Sequence, residues 1–404
     1  MRRLPPIWFL ILLTGLNLFN YLDRYVMSSV LESVGNDWNL SDTDRGNLGT
    51  AFMLGYFLTS PFFGYLGDRT SRKWLIAFGV AVWCAGTVLS GFAAGFGMML
   101  AFRILVGVGE ASYGTISPGV LTDVYPPEKR NNVLTIFYMV IPVGAALGSL
   151  LGGLFENWRH AFIYAGLPGL LLAVALLPFA DPPRLGSDQS HKPGLREIAG
   201  LFREPNYLLV VWGYAAYSFT MGAFAHWGPT FFQRSLGMAK ETAGTYFGAI
   251  LVSAGFLGTL LGGFAATRLQ KKTPAGYALV LGLSVVLAAP LAYGAFQVAD
   301  RTLSTCCFAA AVFLLFTGTG PVNTLILETA PAHLRSCAMA GSIFIIHMFG
   351  DLWSPAIVGH LSDRFGSLQK GVLVLPVALL VAAVLWLALA VRQRRKHLAA
   401  AVEG

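Results

Sequence analysis

The sequence predicts an all-α polytopic membrane protein, with twelve transmembrane helices in two six-helix bundles. Three observations predict it. The 404-residue chain is 55% hydrophobic and only 12% charged, against about 25% charged residues in an average soluble domain. Its apolar residues fall in runs of the ~20 residues needed to cross ~30 Å of hydrocarbon. Two motifs of the first half return, in the same order, in the second half.

The runs occupy residues 7–33, 44–67, 73–93, 96–124, 130–156 and 160–180, then 206–234, 242–268, 275–297, 302–329, 335–362 and 371–392. The longest polar interruption, 181–204, reads DPPRLGSDQSHKPGLREIAGLFRE and divides the runs six and six. The expected organisation is an N-terminal bundle over 1–180, a cytoplasmic linker over 181–204, and a C-terminal bundle with a short cytoplasmic tail over 205–404. Leu195, Ile198, Leu201 and Phe202 share one helical face, so the linker is expected to hold a short interfacial helix. The first run carries charges at its core and lacks a small-residue cleavage site, so it is expected to stay as the first membrane helix.

Orientation follows from the basic residues of the loops. With the N-terminus inside, nineteen of the 28 Lys and Arg residues fall in inner segments and seven in outer ones. Arg24 and Arg103 complete the set, and both lie within spans. Both termini are therefore expected in the cytoplasm, and the net charge of +8 marks topology and calls for no nucleic acid. The four cysteines, Cys84, Cys306, Cys307 and Cys337, lie in or at the ends of apolar runs without paired loop spacing, so they read as packing residues and not as disulfides or a metal site. No Walker loop, metal-ligand spacing or serine nucleophile motif stands out, which argues against an enzyme and against a cofactor.

The internal repeat is specific. GYLGDRTSRK (64–73) aligns with GFAATRLQKK (263–272), and LTDVYPPEKR (121–130) with ILETAPAHLR (326–335). A parallel repeat of six helices is one architecture of secondary transporters, with the substrate bound near the membrane midplane. Glycines at 144, 148 and 152 in the fifth run, and at 255, 258 and 262 in the eighth, are spaced for close helix contact.

The charges inside the runs need explaining, because even the lenient insertion scales charge roughly 2.5–3.5 kcal/mol for one at mid-membrane. Asp23 and Arg24 sit side by side in NLFNYLDRYV (17–26), about 100° apart around the helix, so they must face different neighbours. Arg103 and Glu110, two turns apart in the fourth run, share one face. A carboxyl in a partly dry cavity can take up and release a proton, as a proton carrier must. A guanidinium offers phosphate a two-pronged donor, so Arg24 is a candidate for an anionic headgroup. His347 and Asp351 are four apart and share a face in the eleventh run. His226 lies beside Pro229, where a broken helix would suit a polar site.

GYLGDRTSRK resembles the loop signature of the major facilitator superfamily, with Gly64, Asp68, Arg69, Arg72 and Lys73 in place and Ser71 where glycine is usual. RILVGVGEA (103–111) is similar to that superfamily's fourth-helix motif. NYLDRYV, GVGEASYGTISPGVLTDVYP and FYMVIPVGAALGSLLGG together resemble the spinster family, whose members carry sphingosine phosphate and lysophospholipids; the short loops and termini suit a bacterial member. The resemblance implies the major facilitator fold, a monomer, and alternating access. It implies proton coupling by Asp23, Arg103 and Glu110, and gating of the cytoplasmic side by Gly64, Asp68, Arg69, Arg72 and Lys73. The second-half copy has Thr267 where the acid of the motif would stand.

The expected function is secondary active transport of an amphipathic lipid, lysophospholipid or sphingosine-phosphate-like, with protons and membrane lipids as the other partners. Arg24, Tyr25, Tyr113, His226, Phe344, His347 and Asp351 are the candidate substrate residues, the aromatic ones for an acyl chain. The alternative is a proton-coupled transporter of a soluble organic anion or drug using the same charged residues in a more polar cavity.

Overall fold

The computed structural model describes residues 5–178, 195–331 and 334–403. Among them the only regular structure is helical. In chain order the helices are α1 (Pro6–Asp37), α2 (Asp42–Arg69), α3 (Arg72–Ser90), α4 (Phe96–Val124), α5 (Pro127–Leu154) and α6 (Trp158–Leu176). Then come the short α7 (Leu195–Leu201), α8 (Pro205–Arg234), α9 (Lys240–Gln270), α10 (Gly276–Gln297), α11 (Arg301–Phe316) and α12 (Thr319–Thr329). The chain ends with α13 (Arg335–Ile346), α14 (Ser354–Phe365), the single turn α15 (Leu368–Gly371) and α16 (Val374–Glu403). Most of the linker lies outside the described residues; α7 is its described helix.

Eleven stretches of described residues are long and apolar enough to cross a membrane, with α11–α12, α13–α14 and α15–α16 each counting as one. The 28-residue α2 is the twelfth by length alone. Its start is polar (Asp42, Asp44, Arg45, Asn47) and its middle is rich in Gly, Thr and Ser, which dilutes its apolar character. Helix starts are fixed locally. Ser41 Oγ accepts the Asp44 amide at 3.1 Å, and the Asp300 carboxylate accepts that of Leu303 at 2.7 Å, each satisfying an amide that the helix itself cannot. Asp42 and Asp44 in the first turn of α2 suit its positive dipole end.

Two compact units emerge. Unit 1 comprises Met1–Ser187, Ala225–Ala249 and Pro355–His360; unit 2 comprises Asp188–Phe224, Ile250–Ser354 and Leu361–Gly404. The ends of α8, α9 and α14 thus group with the first six helices. Within unit 1, Leu13, Val80, Trp83 and Val106 are wholly buried, and Trp83 meets the Tyr113 ring edge-on at 5.4 Å.

The expected small-residue contacts are present. A Cβ added at Gly144 or Gly148 would stand 2.5 or 2.2 Å from the carbonyl oxygens of Leu18 and Leu22, so α5 lies directly against the α1 backbone. In unit 2, Gly258 and Gly262 do the same for α9 against Phe313 and Thr317, at 2.4 and 2.2 Å. Between α13 and α14 the chain makes one wide π turn over His347–Asp351. Such turns are rare and recur at functional sites.

A buried charge cluster in the first unit

The intramembrane charges of the first half converge. α1 supplies Asp23 and Arg24, α4 supplies Arg103 and Glu110, α3 adds Thr87, and α2 adds aromatic rings. Asp23 is 1% exposed; Thr87 Oγ1 donates to its Oδ2 at 3.2 Å, while Oδ1 meets no hydrogen-bond donor at bonding geometry among the described residues. Its neighbour Arg24 turns the other way and donates Nη2 to Glu110 Oε2 at 2.6 Å. Glu110 is fully buried, whereas the Arg24 side chain keeps 27% of its surface open. Glu110 Oε1 likewise meets no donor at bonding geometry among the described residues.

Arg103 shares a helix face with Glu110, yet it is Arg24 that forms the ion pair with Glu110. Arg103 is 2% exposed and makes no ion pair among the described residues. The reason is axial distance: seven residues of helix separate Arg103 from Glu110 by about 10 Å of rise, whereas Arg24 approaches Glu110 from the side. The Arg24 guanidinium is instead ringed by Tyr21, Phe52 and Tyr56, at 4.8, 4.9 and 5.6 Å from their centroids. Arg103 lies 4.9 Å from the same Phe52 ring. One aromatic ring therefore carries two cations, each attracted to its π-system.

Glycines bring that ring into place. A Cβ at Gly55 would sit 2.3 Å from the Ile104 carbonyl oxygen, and one at Gly107 2.1 Å from that of Phe52. α2 and α4 therefore touch backbone to backbone, which sets Phe52 beside Arg103 and Tyr56 beside Gly114.

The remaining candidates are spread out. Tyr113 is 1% exposed and its hydroxyl donates to the Leu13 carbonyl, which gives it a core position where the sequence suggested an acyl-chain contact. Tyr25 lies 6.4 Å from the Phe247 ring. His226 is buried, with Nε2 2.9 Å from the Arg45 carbonyl and its ring edge-on to Trp227. In unit 2, His347 Nδ1 lies 2.9 and 3.0 Å from the two Asp351 oxygens, and the pair spans the π turn. Cβ of Asp351 would be only 2.6 Å from a Cβ at Gly222, so α8 needs a glycine there. Phe344 is half-exposed on α13.

The loop motif is tied down within unit 1. Arg72 forms an ion pair with Asp123 and donates Nε to the Gly67 carbonyl at 3.3 Å. Lys73, 4% exposed, donates to the Leu177 carbonyl at 2.9 Å. Arg69 stacks over the Tyr65 ring at 3.7 Å, and Gly64 approaches Thr115. The Asp68 side chain lies outside the described residues.

Residues 13–342 match the family model of the Major Facilitator Superfamily. The chain is 34% identical to protein spinster of Drosophila melanogaster over 379 residues, 88% of this chain and 62% of that one. It thus spans less than two thirds of that relative. Against protein spinster homolog 1 of Xenopus tropicalis it is 34% identical over 89% of this chain and 73% of the relative. This chain belongs to the spinster family of the major facilitator superfamily.

A "Probable sphingolipid transporter spinster homolog 1" of Arabidopsis thaliana is 29% identical to this spinster protein, covering 95% of it and 88% of the relative. The crystal structure of a bacterial homolog of the human lysosomal transporter spinster, inward-facing and unoccupied, superposes with a TM-score of 0.88 at 24% identity, over 98% and 99% of the two chains. That of a D-xylose-proton symporter gives 0.73 at 18% identity, over 93% and 96%. The spinster protein is accordingly a multi-pass membrane protein with the major facilitator fold.

The spinster protein also has a charge network that sequence reasoning missed. Arg234, at the end of α8, donates to Glu32 at 2.5 Å and to both oxygens of Asp42 at 2.8 and 2.9 Å. Arg45 joins through Asp42 at 2.8 Å and Asn36 at 2.9 Å. The available signal was that Glu32, Asp42, Arg45 and Arg234 all fall at the outer ends of their runs by the Lys/Arg count. Thr87 and Phe52 gave no signal, being ordinary residues for a membrane helix.

Proposed function

We propose that this spinster protein moves an amphipathic lipid with an anionic or zwitterionic headgroup, of lysophospholipid or sphingosine-phosphate type, across a cell membrane by proton-coupled alternating access. It works as a monomer with both termini in the cytoplasm. The carrying observation is the one-pronged pair between Arg24 and Glu110. Arg24 gives one nitrogen to a fully buried carboxylate while its side chain stays partly open. The remaining donors suit a headgroup phosphate.

Protonating Glu110 removes the anion that holds Arg24 and leaves the whole guanidinium fork for the lipid. Proton and lipid then bind together because they act on the same arginine from opposite sides, which is a coupling free energy between two sites. Asp23, buried in the same cluster, is a second place for a proton. Tyr21, Phe52 and Tyr56 hold the Arg24 cation in position while its ionic partner changes. The name of the Arabidopsis relative supports a lipid cargo.

The test is uptake of labelled lysophospholipid into proteoliposomes, with and without an imposed pH gradient. Wild type is expected to respond to the gradient. Glu110→Gln and Asp23→Asn are expected to lose the response, and Arg24→Lys to lose uptake altogether, because an ammonium cannot replace the fork. Gradient-independent uptake, equal in wild type and both carboxyl variants, would make the protein a facilitator. Uptake of soluble organic anions without any lipid movement would transfer the site to the alternative cargo.

A further inference from the structure

The second copy of the loop motif has no role in the proposed cycle, yet it is chemically distinctive. At the end of α9, Phe264, Thr267, Arg268, Lys271 and Lys272 line a hollow of about 310 Å³. Phe264 and both lysines are exposed, and Arg268 lies 5.8 Å from the Phe264 centroid. Arg268, Lys271 and Lys272 make no ion pair among the described residues. Thr267 occupies the register of the acid in the first copy, so the hollow holds three cations and no carboxylate.

Two further features extend it. Phe256, Leu257, Leu260, Leu261 and Phe264 form an exposed apolar stripe along α9 that runs into the hollow. Arg394 Nε lies 3.5 Å from Thr273 Oγ1, which sets the exposed Arg392, Arg394, Arg395 and Lys396 of α16 beside the same turn. The whole surface belongs to unit 2.

We infer that the end of α9 and its following turn form a binding site for an anionic diacyl phospholipid, with Arg268, Lys271 and Lys272 on the phosphate and the α9 stripe along an acyl chain. The occupant follows from charge complementarity. Basic clusters just past a membrane helix attract anionic headgroups, and here the apolar stripe leads directly into the cluster, as a lipid's chain leads into its headgroup. Free phosphate would use only the cations and leave the stripe uncovered. The site is independent of the cargo, because none of its residues belongs to the Asp23–Glu110 cluster.

Native mass spectrometry of the whole purified protein tests this directly, with diacyl phosphatidylglycerol and phosphatidylcholine supplied at equal concentration. Wild type is expected to retain phosphatidylglycerol preferentially. Lys271→Gln/Lys272→Gln is expected to lower that affinity about 30-fold, the equivalent of ~1 kcal/mol for each of two cations, with phosphatidylcholine retention unchanged. Lys271→Arg/Lys272→Arg keeps the preference. Thr267→Asp, which removes no cation and leaves the topology signal intact, is expected to weaken phosphatidylglycerol retention as well, and it carries the test if the glutamine pair does not fold. Equal retention of the two lipids by wild type overturns the inference. So does undiminished phosphatidylglycerol retention in Lys271→Gln/Lys272→Gln or in Thr267→Asp.

Discussion

The two loop copies, 64–73 and 263–272, share one sequence pattern and sit in different surroundings. Tyr65 and Phe264 hold the same register, as do Arg69 and Arg268, and each copy keeps its cation beside its ring, at 3.7 and 5.8 Å. The difference lies in the last two cations. Arg72 and Lys73 turn inward to Asp123 and the Leu177 carbonyl, whereas Lys271 and Lys272 face outward. In the first copy the surrounding helices supply a carboxylate and a carbonyl to these cations; in the second, both lysines are exposed and make no ion pair among the described residues.

The largest expected effect that would break this contrast is on stability. Arg72→Gln removes one half of a mostly buried ion pair and is expected to cost about 1–3 kcal/mol, read as a lower unfolding midpoint of the purified protein. Lys271→Gln, at the matching register, is expected to stay within about 0.5 kcal/mol of wild type. Equal losses would mean that the second copy is as tied down as the first.

Next in size is the lysine pair. Lys73→Met leaves the Leu177 carbonyl without its donor and is expected to cost about 1 kcal/mol; Lys272→Met is expected to be neutral by the same measurement. A double-mutant cycle of Arg72→Gln with Asp123→Asn sharpens the comparison further, with an expected coupling of about 0.5–3 kcal/mol. Lys271→Gln with Glu328→Gln, the aligned positions, is expected to give none.

The smallest effect belongs to the rings. Tyr65→Leu is expected to cost about 0.5–1 kcal/mol through the lost stacking with Arg69. Phe264→Leu, with its cation farther off, is expected to cost less in stability while weakening phosphatidylglycerol retention. A larger stability loss from Phe264→Leu would move that ring from the lipid site into the core.

The site was half legible in the sequence. Asp23, Arg24, Arg103 and Glu110 stood out because a charge inside an apolar run is anomalous in one dimension, before any folding is known. Who pairs with whom was not legible. Arg24 and Glu110 are 86 residues apart, and their meeting depends on the rotation of α1 against α4, which is set by side-chain packing and by glycines such as Gly144 and Gly148. Tyr113 was misplaced for the same reason: an aromatic on a helix reads alike whether it faces a cavity or the Leu13 carbonyl.

The sequence by itself determined the all-helical membrane class, the approximate positions of its spans, the internal repeat and the set of charges inside the runs, because hydrocarbon enforces apolar runs and makes every exception costly. Tertiary structure decided the rest. It assigned Glu110 to Arg24, laid two cations on Phe52, joined Arg234 to Glu32 and Asp42, and opened a π turn under His347 and Asp351. Each of these depends on distances of a few ångströms between helices remote in the chain, and hydropathy and local spacing do not encode such distances.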